Sequence, residues 1–149
     1  MFRRPGRAPL GPAYTPDVAA LPLVLVVDDY ADARAMYAAW LQVSGYRVVE
    51  ASTAADALAL ARAEPPAVVL MDLSLPGVDG IEATRQLKAD ARTRHVPVVA
   101  ITGHVEAHVR EAATAAGCDA FIIKPSPAPE VVNAIARLIG RGAAAEAAS

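Results

Sequence analysis

Five short apolar runs, each followed by a stretch with helical spacing, constrain this chain more than any other feature. Residues 23–27 (LVLVV), 47–50, 67–71 (AVVLM), 96–101 (VPVVAI) and 120–123 read as strands. Continuous apolar runs of this length suit strands buried on both faces of a parallel sheet. The stretches between them carry helix signals. The first runs to about Val43 and closes on Ser44-Gly45. Thr53 with Asp56, and Asp79 with Glu82, have the spacing of N-terminal caps. Gly117 is placed to end a helix that begins near Val105. Val131, Ile135 and Leu138 form the apolar stripe of a last helix, flanked by Val132 and Ile139. Five strand–helix units predict an α/β fold, a doubly wound (βα)5 parallel sheet with right-handed crossovers.

The flanks differ in character. Residues 1–21 are rich in Pro, Gly and Ala without helix or strand period, which predicts a flexible N-terminal extension. Residues 142–149 are Ala-rich and are read as a flexible C-terminal tail, leaving one domain over 22–141. No apolar run reaches the about 20 residues of a membrane span. Arg3, Arg4 and Arg7 precede Gly11 and Pro12 rather than an apolar stretch, so no signal peptide is expected. A net charge of −2 leaves no electrostatic footprint for nucleic acid. Cys118 is the single cysteine, which excludes an internal disulfide and a cysteine-based metal site. It reads as a small buried apolar residue, and the chain as cytoplasmic.

An open parallel sheet binds ligands beyond the carboxyl ends of its strands. The residues at those ends are Asp28-Asp29, Ser52-Thr53, Asp72, Thr102-Gly103 and Lys124-Pro125. Ser52-Thr53 has the look of capping alone. Elsewhere three carboxylates, one hydroxyl and one ammonium converge on one edge. Clustered carboxylates repel one another and call for a cation. A hard ion that takes one or two protein carboxylates and keeps its waters, Mg²⁺ or Mn²⁺ in its place, suits the set. Such a site suits phosphoryl transfer, because the reacting group spreads negative charge over its equatorial oxygens. Mg²⁺, Lys124 and the Thr102 hydroxyl can each take one oxygen. A carboxylate can attack phosphorus, and Asp72, on the central third strand, is best placed. Singly, each residue has an ordinary role: Asp29 and Thr102 as helix caps, Lys124 as a surface charge, Asp72 as the start of a loop. Ordinary roles do not explain why polar groups matching one reaction fall at four strand ends.

The motifs VLVVDDY (24–30), VVLMDLSLPGVDGIEA (68–83), VPVVAITG (96–103) and AFIIKPS (120–126) resemble the receiver domains of two-component response regulators over residues 22–140. The resemblance implies a flavodoxin-like strand order 2-1-3-4-5 and Mg²⁺-dependent phosphorylation of Asp72. Asp29 is then a direct metal ligand, Asp28 a ligand through water, and the Ser74 backbone carbonyl a third protein contribution. Lys124 pairs with the phosphate, with Gly103 beside it, and the bond before Pro125 is expected to be cis. Thr102 and Phe121 are the implied switch pair, which remodels the surface of helix four, strand five and helix five. Ser74 and His104 occupy positions that tune dephosphorylation in the family.

The implied partners are a histidine kinase or histidine phosphotransfer protein and a downstream effector protein. Neither nucleic acid nor membrane is expected, and the chain is read as a monomer or weak homodimer. It is expected to catalyse only its own phosphorylation and dephosphorylation, and so not to be an enzyme in the ordinary sense. The nine residues after Gly140 leave no room for an output domain, hence the expectation of a stand-alone receiver. One competing reading is a receiver-like scaffold that works without phosphorylation. Another, a haloacid dehalogenase-type phosphatase, needs a second Asp two residues after the nucleophile, where Ser74 stands. A nucleotide- or flavin-binding domain lacks its glycine-rich motif.

Overall fold

A computed structural model describes residues 17–75 and 77–148, with residues 141–148 as backbone. The order is β1 (Leu23–Val27), α1 (Ala31–Val43), β2 (Arg47–Ala51), α2 (Ala54–Ala63), β3 (Val68–Asp72), α3 (Gly80–Ala89), β4 (Val98–Thr102), α4 (Ala107–Ala116), β5 (Ala120–Ile123) and α5 (Ala128–Ala148). The five strands form one parallel sheet in the order β2-β1-β3-β4-β5, as the family resemblance implied.

The apolar runs sort the helices into two layers. Leu25, Val27, Val69, Met71, Val98 and Ala100 face α2, α3 and α4, through Ala57, Leu58, Ala83, Leu87 and Ala113. Val24, Val26, Val68, Leu70, Val99 and Ile101 face α1 and α5, through Tyr37, Leu41, Val131, Ile135 and Leu138. Every residue of β1, β3 and β4 is buried, whereas the edge strands β2 and β5 are only partly covered. That is why the three central runs are the most apolar. Burying one large aliphatic side chain contributes about 1.5–3 kcal/mol, so these strands carry much of the fold.

The caps at α2 and α3 form as their spacing predicts. Thr53 Oγ1 accepts from the Asp56 amide at 3.1 Å, and Asp79 Oδ1 from the Glu82 amide at 2.9 Å. Gly117 closes α4 in the left-handed region, at φ 112°. Other boundaries differ from the sequence reading. α4 begins at Ala107 rather than Val105, and its N-cap, Glu106, makes no side-chain capping bond. The Ala-rich segment read as a tail is helical: α5 continues to Ala148, because Ala, Arg and Glu are strong helix formers and outweigh Gly140 and Gly142. Of the predicted N-terminal extension, residues 1–16 lie outside the described residues, while Val18–Ala20 form a single 3₁₀ turn capped by Asp17. Pro76, half of the expected turn signal, also lies outside them. No helix among the described residues is long and apolar enough to cross a membrane.

Candidate functional site

β3 and β4 each run one residue further than the apolar pattern suggests. Asp72 is paired in register with Ile101, and Thr102 with Ile123, so both are the last residues of their strands. Parallel register brings them beside Asp28 and Asp29 at the end of β1 and Lys124 at the end of β5. Carboxylate oxygens of Asp28, Asp29 and Asp72 all lie within 4.8 Å of one another. Asp28 and Asp72 are buried, at 1% and 4% exposure, while Asp29 is open to solvent. Lys124 Nζ donates to Asp28 Oδ2 at 3.1 Å and to Asp72 Oδ2 at 3.4 Å. Each buried carboxylate also accepts an amide two residues on, Tyr30 N–H to Asp28 Oδ1 and Ser74 N–H to Asp72 Oδ1, both at 2.9 Å. The two oxygens of Asp72 therefore have different partners, and the carboxylate is held in one orientation.

Burial pushes the Asp72 carboxyl above its ordinary value, and the Asp28 charge adds to the effect. The Ser74 amide and Lys124 oppose it without cancelling it. For Lys124, burial works to lower the ammonium, yet the charges of Asp72 and Asp28 raise it overall. Three carboxylates against one ammonium leave a negative excess around oxygen donors. That donor set fits a hard divalent cation such as Mg²⁺ or Mn²⁺.

The ordinary roles open to these residues are mostly taken by others. The N-cap of α1 is Tyr30 and that of α4 is Glu106, so neither Asp29 nor Thr102 caps a helix. Thr102 is fully buried, and its hydroxyl oxygen accepts the His104 amide at 3.1 Å. Among the described residues that hydroxyl donates to no acceptor, which leaves its proton for a ligand. Gly103 is exposed, with open space where a Cβ would stand, so nothing there demands glycine. Ser74 and His104 are both exposed beside the site, and His104 Nδ1 lies 3.6 Å from Glu106 Oε2. The Lys124–Pro125 bond is cis.

Phe121 is not at the site. It sits on β5 opposite Ala100, half-buried against the layer under α2, α3 and α4. The Arg110 guanidinium of α4 lies 5.5 Å from the centre of its ring, a cation–π contact. Cys118 is half-buried rather than buried, with its thiol 3.8 Å from Thr84 Oγ1. Burial raises that thiol.

Two residues at the site escaped the sequence reading. Gly80, first in α3, passes so close to β3 that a Cβ would stand 2.2 Å from the Asp72 carbonyl oxygen. Its place in the VDG run, straight after a cap, was the available signal. Arg34 of α1 donates to the Asp28 backbone carbonyl at 2.9 Å, a contact no local pattern announces.

The chain is similar to known proteins in sequence and fold. The sequence matches the family described as the response regulator receiver domain over residues 24–136. The polar-differentiation response regulator DivK of Brucella abortus (strain 2308) is 34% identical over 117 residues, which cover 78% of this chain and 95% of that protein. A solved two-component response regulator of the LuxR family, from Aurantimonas sp. SI85-9A1, is 32% identical. It superposes with a TM-score of 0.75 over 81% of this chain and 86% of that one. A CheY-like response regulator receiver domain protein from Methanospirillum hungatei JF-1 is 25% identical, with a TM-score of 0.77 over 82% of this chain and 96% of that one.

Proposed function

Since the chain belongs to the family of response regulator receiver domains, we propose that it accepts a phosphoryl group on Asp72 and passes the change to a partner protein. The observation that carries this reading is Lys124 Nζ lying between Asp28 Oδ2 and Asp72 Oδ2, at 3.1 and 3.4 Å, in a cluster of three carboxylates. A carboxylate that is buried, held in one orientation and paired with an ammonium is suited to attack on phosphorus.

In the proposed step an Asp72 oxygen forms a bond to phosphorus while the bond from phosphorus to the donor breaks. The donor is the phosphorylated imidazole of a histidine kinase or histidine phosphotransfer protein, and the leaving ring nitrogen takes up a proton. Lys124 is free to follow the new charge, since its ammonium already touches Asp72. The Thr102 hydroxyl has a proton to donate to a phosphoryl oxygen. Asp28, Asp29, Asp72 and the Ser74 carbonyl would hold the cation, which when bound supplies positive charge to the transferring group. The chain then catalyses only its own phosphorylation and dephosphorylation, with Ser74 and His104 placed to influence the second.

Readout follows from the same contacts. Thr102 drawn toward the phosphoryl group leaves space on the β4–β5 side, into which Phe121 turns. The α4–β5–α5 surface changes with it, and an effector protein reads that surface in the cytoplasm. Beryllofluoride with Mg²⁺, which mimics the phosphoryl group, tests this. The amide resonances of Thr102 and Phe121 are expected to shift together in ¹H–¹⁵N spectra. Shifts confined to residues 72–74, with Phe121 unmoved, would contradict the coupling.

A further inference from the structure

Arg34 ties three elements together at the edge of the site. It stands in the first turns of α1, with its side chain 21% exposed. Its Nη1 donates to the Asp28 carbonyl at 2.9 Å, and its Nε donates to Glu50 Oε1, on β2, at 3.2 Å. On the other side of the same residue, the Asp28 amide donates to the Ala51 carbonyl of β2 at 3.1 Å.

The carbonyl that Arg34 holds belongs to the peptide unit joining Asp28 to Asp29. A peptide unit is planar, so fixing its oxygen fixes the direction in which both residues leave it. Asp28 has other restraints, since Lys124 and the Tyr30 amide hold its carboxylate. Asp29 has none of this kind. Its carboxylate is exposed and, among the described residues, accepts no hydrogen bond. What aims it at Asp28 and Asp72 is the backbone, which is held by the Asp28 carboxylate bond to the Tyr30 amide spanning Asp29 and, from a separate element, by Arg34 on the Asp28 carbonyl. Glu50 shapes the charge of the arrangement. A lone guanidinium beside the carboxylates would oppose an incoming cation, whereas one paired with Glu50 does so less.

We propose that Arg34 is a positioning residue for the acidic cluster, setting the Asp28–Asp29 peptide so that the Asp29 carboxylate faces a divalent cation. This rests on reading the cluster as a cation site. The test is Mn²⁺ binding to the full chain, followed by the paramagnetic resonance of the free ion, with thermal melting measured alongside. Outer-shell contacts of this kind typically change metal affinity by about tenfold or more. Arg34→Ala is expected to raise the Mn²⁺ Kd about tenfold. Arg34→Lys keeps the charge but not the two-pronged geometry, and is expected to fall between.

Arg47→Ala is the control. It removes another Arg–Glu pair of the same strand, with Glu64, and is expected to leave the Kd unchanged. Wild-type affinity in Arg34→Ala overturns the proposal, as does an equal loss in Arg47→Ala, which marks general loosening. Should Arg34→Ala not fold, Arg34→Lys decides: weaker binding supports the clamp and wild-type binding overturns it. Failure of the unaltered chain to bind Mn²⁺ removes the cation reading itself, and this proposal with it.

Discussion

Asp72 is a carboxylate whose ionised form the fold disfavours. Burial raises its pKa above the unfolded value. A group raised in this way contributes its stability below the unfolded pKa and loses it as pH climbs through the folded one. At neutral pH and without a divalent cation, ionised Asp72 therefore destabilises the domain. Asp72→Asn is expected to melt higher than the unaltered chain in EDTA at pH 7, with the gap closing as pH falls through the carboxylate range. A lower melting temperature for the variant would contradict the sign. Gly80 gives a steric counterpart. A methyl group there meets the Asp72 carbonyl and the Leu73 Cα, both backbone atoms that cannot swing aside. Overpacking of this kind costs about 1–3 kcal/mol, so Gly80→Ala should lower the urea midpoint accordingly. These two residues also mark the limit of the sequence. Asp72 was legible because a parallel sheet gathers its strand ends. Gly80 and Arg34 act through the approach of one element to another, which the VDG run only hinted at for Gly80 and no local pattern encodes for Arg34.

Elements were legible where their signals are local. The α2 and α3 caps formed at the expected residues because a cap is a contract between positions three apart. α4 began two residues late, since Glu106 caps it with backbone alone. α5 overran its read end because an Ala-rich segment prefers to stay helical. Asp79→Ala removes both a capping bond and a negative charge at a helix N-terminus. It should destabilise by about 1 kcal/mol, read as a shift in urea midpoint with an unchanged slope. A change in slope would contradict a purely local cap effect, since it marks altered compactness of one state or loss of two-state unfolding.

At the scale of the whole molecule, stability and function sit in different places. Leu70 is buried in the central strand, and Leu70→Ala should cost about 2–5 kcal/mol. The Arg92–Asp90 pair on the far loop, with Arg92 open to solvent and Asp90 partly covered, should contribute less than this. The candidate site residues stand at the carboxyl edge, at or just past the ends of strands whose apolar side chains are buried in the core. The apolar pattern made that edge readable before any contact was known, and the contacts then supplied orientation. The most direct test is incubation of the full chain with acetyl phosphate and Mg²⁺, followed by intact mass. The unaltered chain should gain one alkali-labile phosphoryl group and Asp72→Asn none, whereas a phosphoryl group persisting on Asp72→Asn would contradict the account.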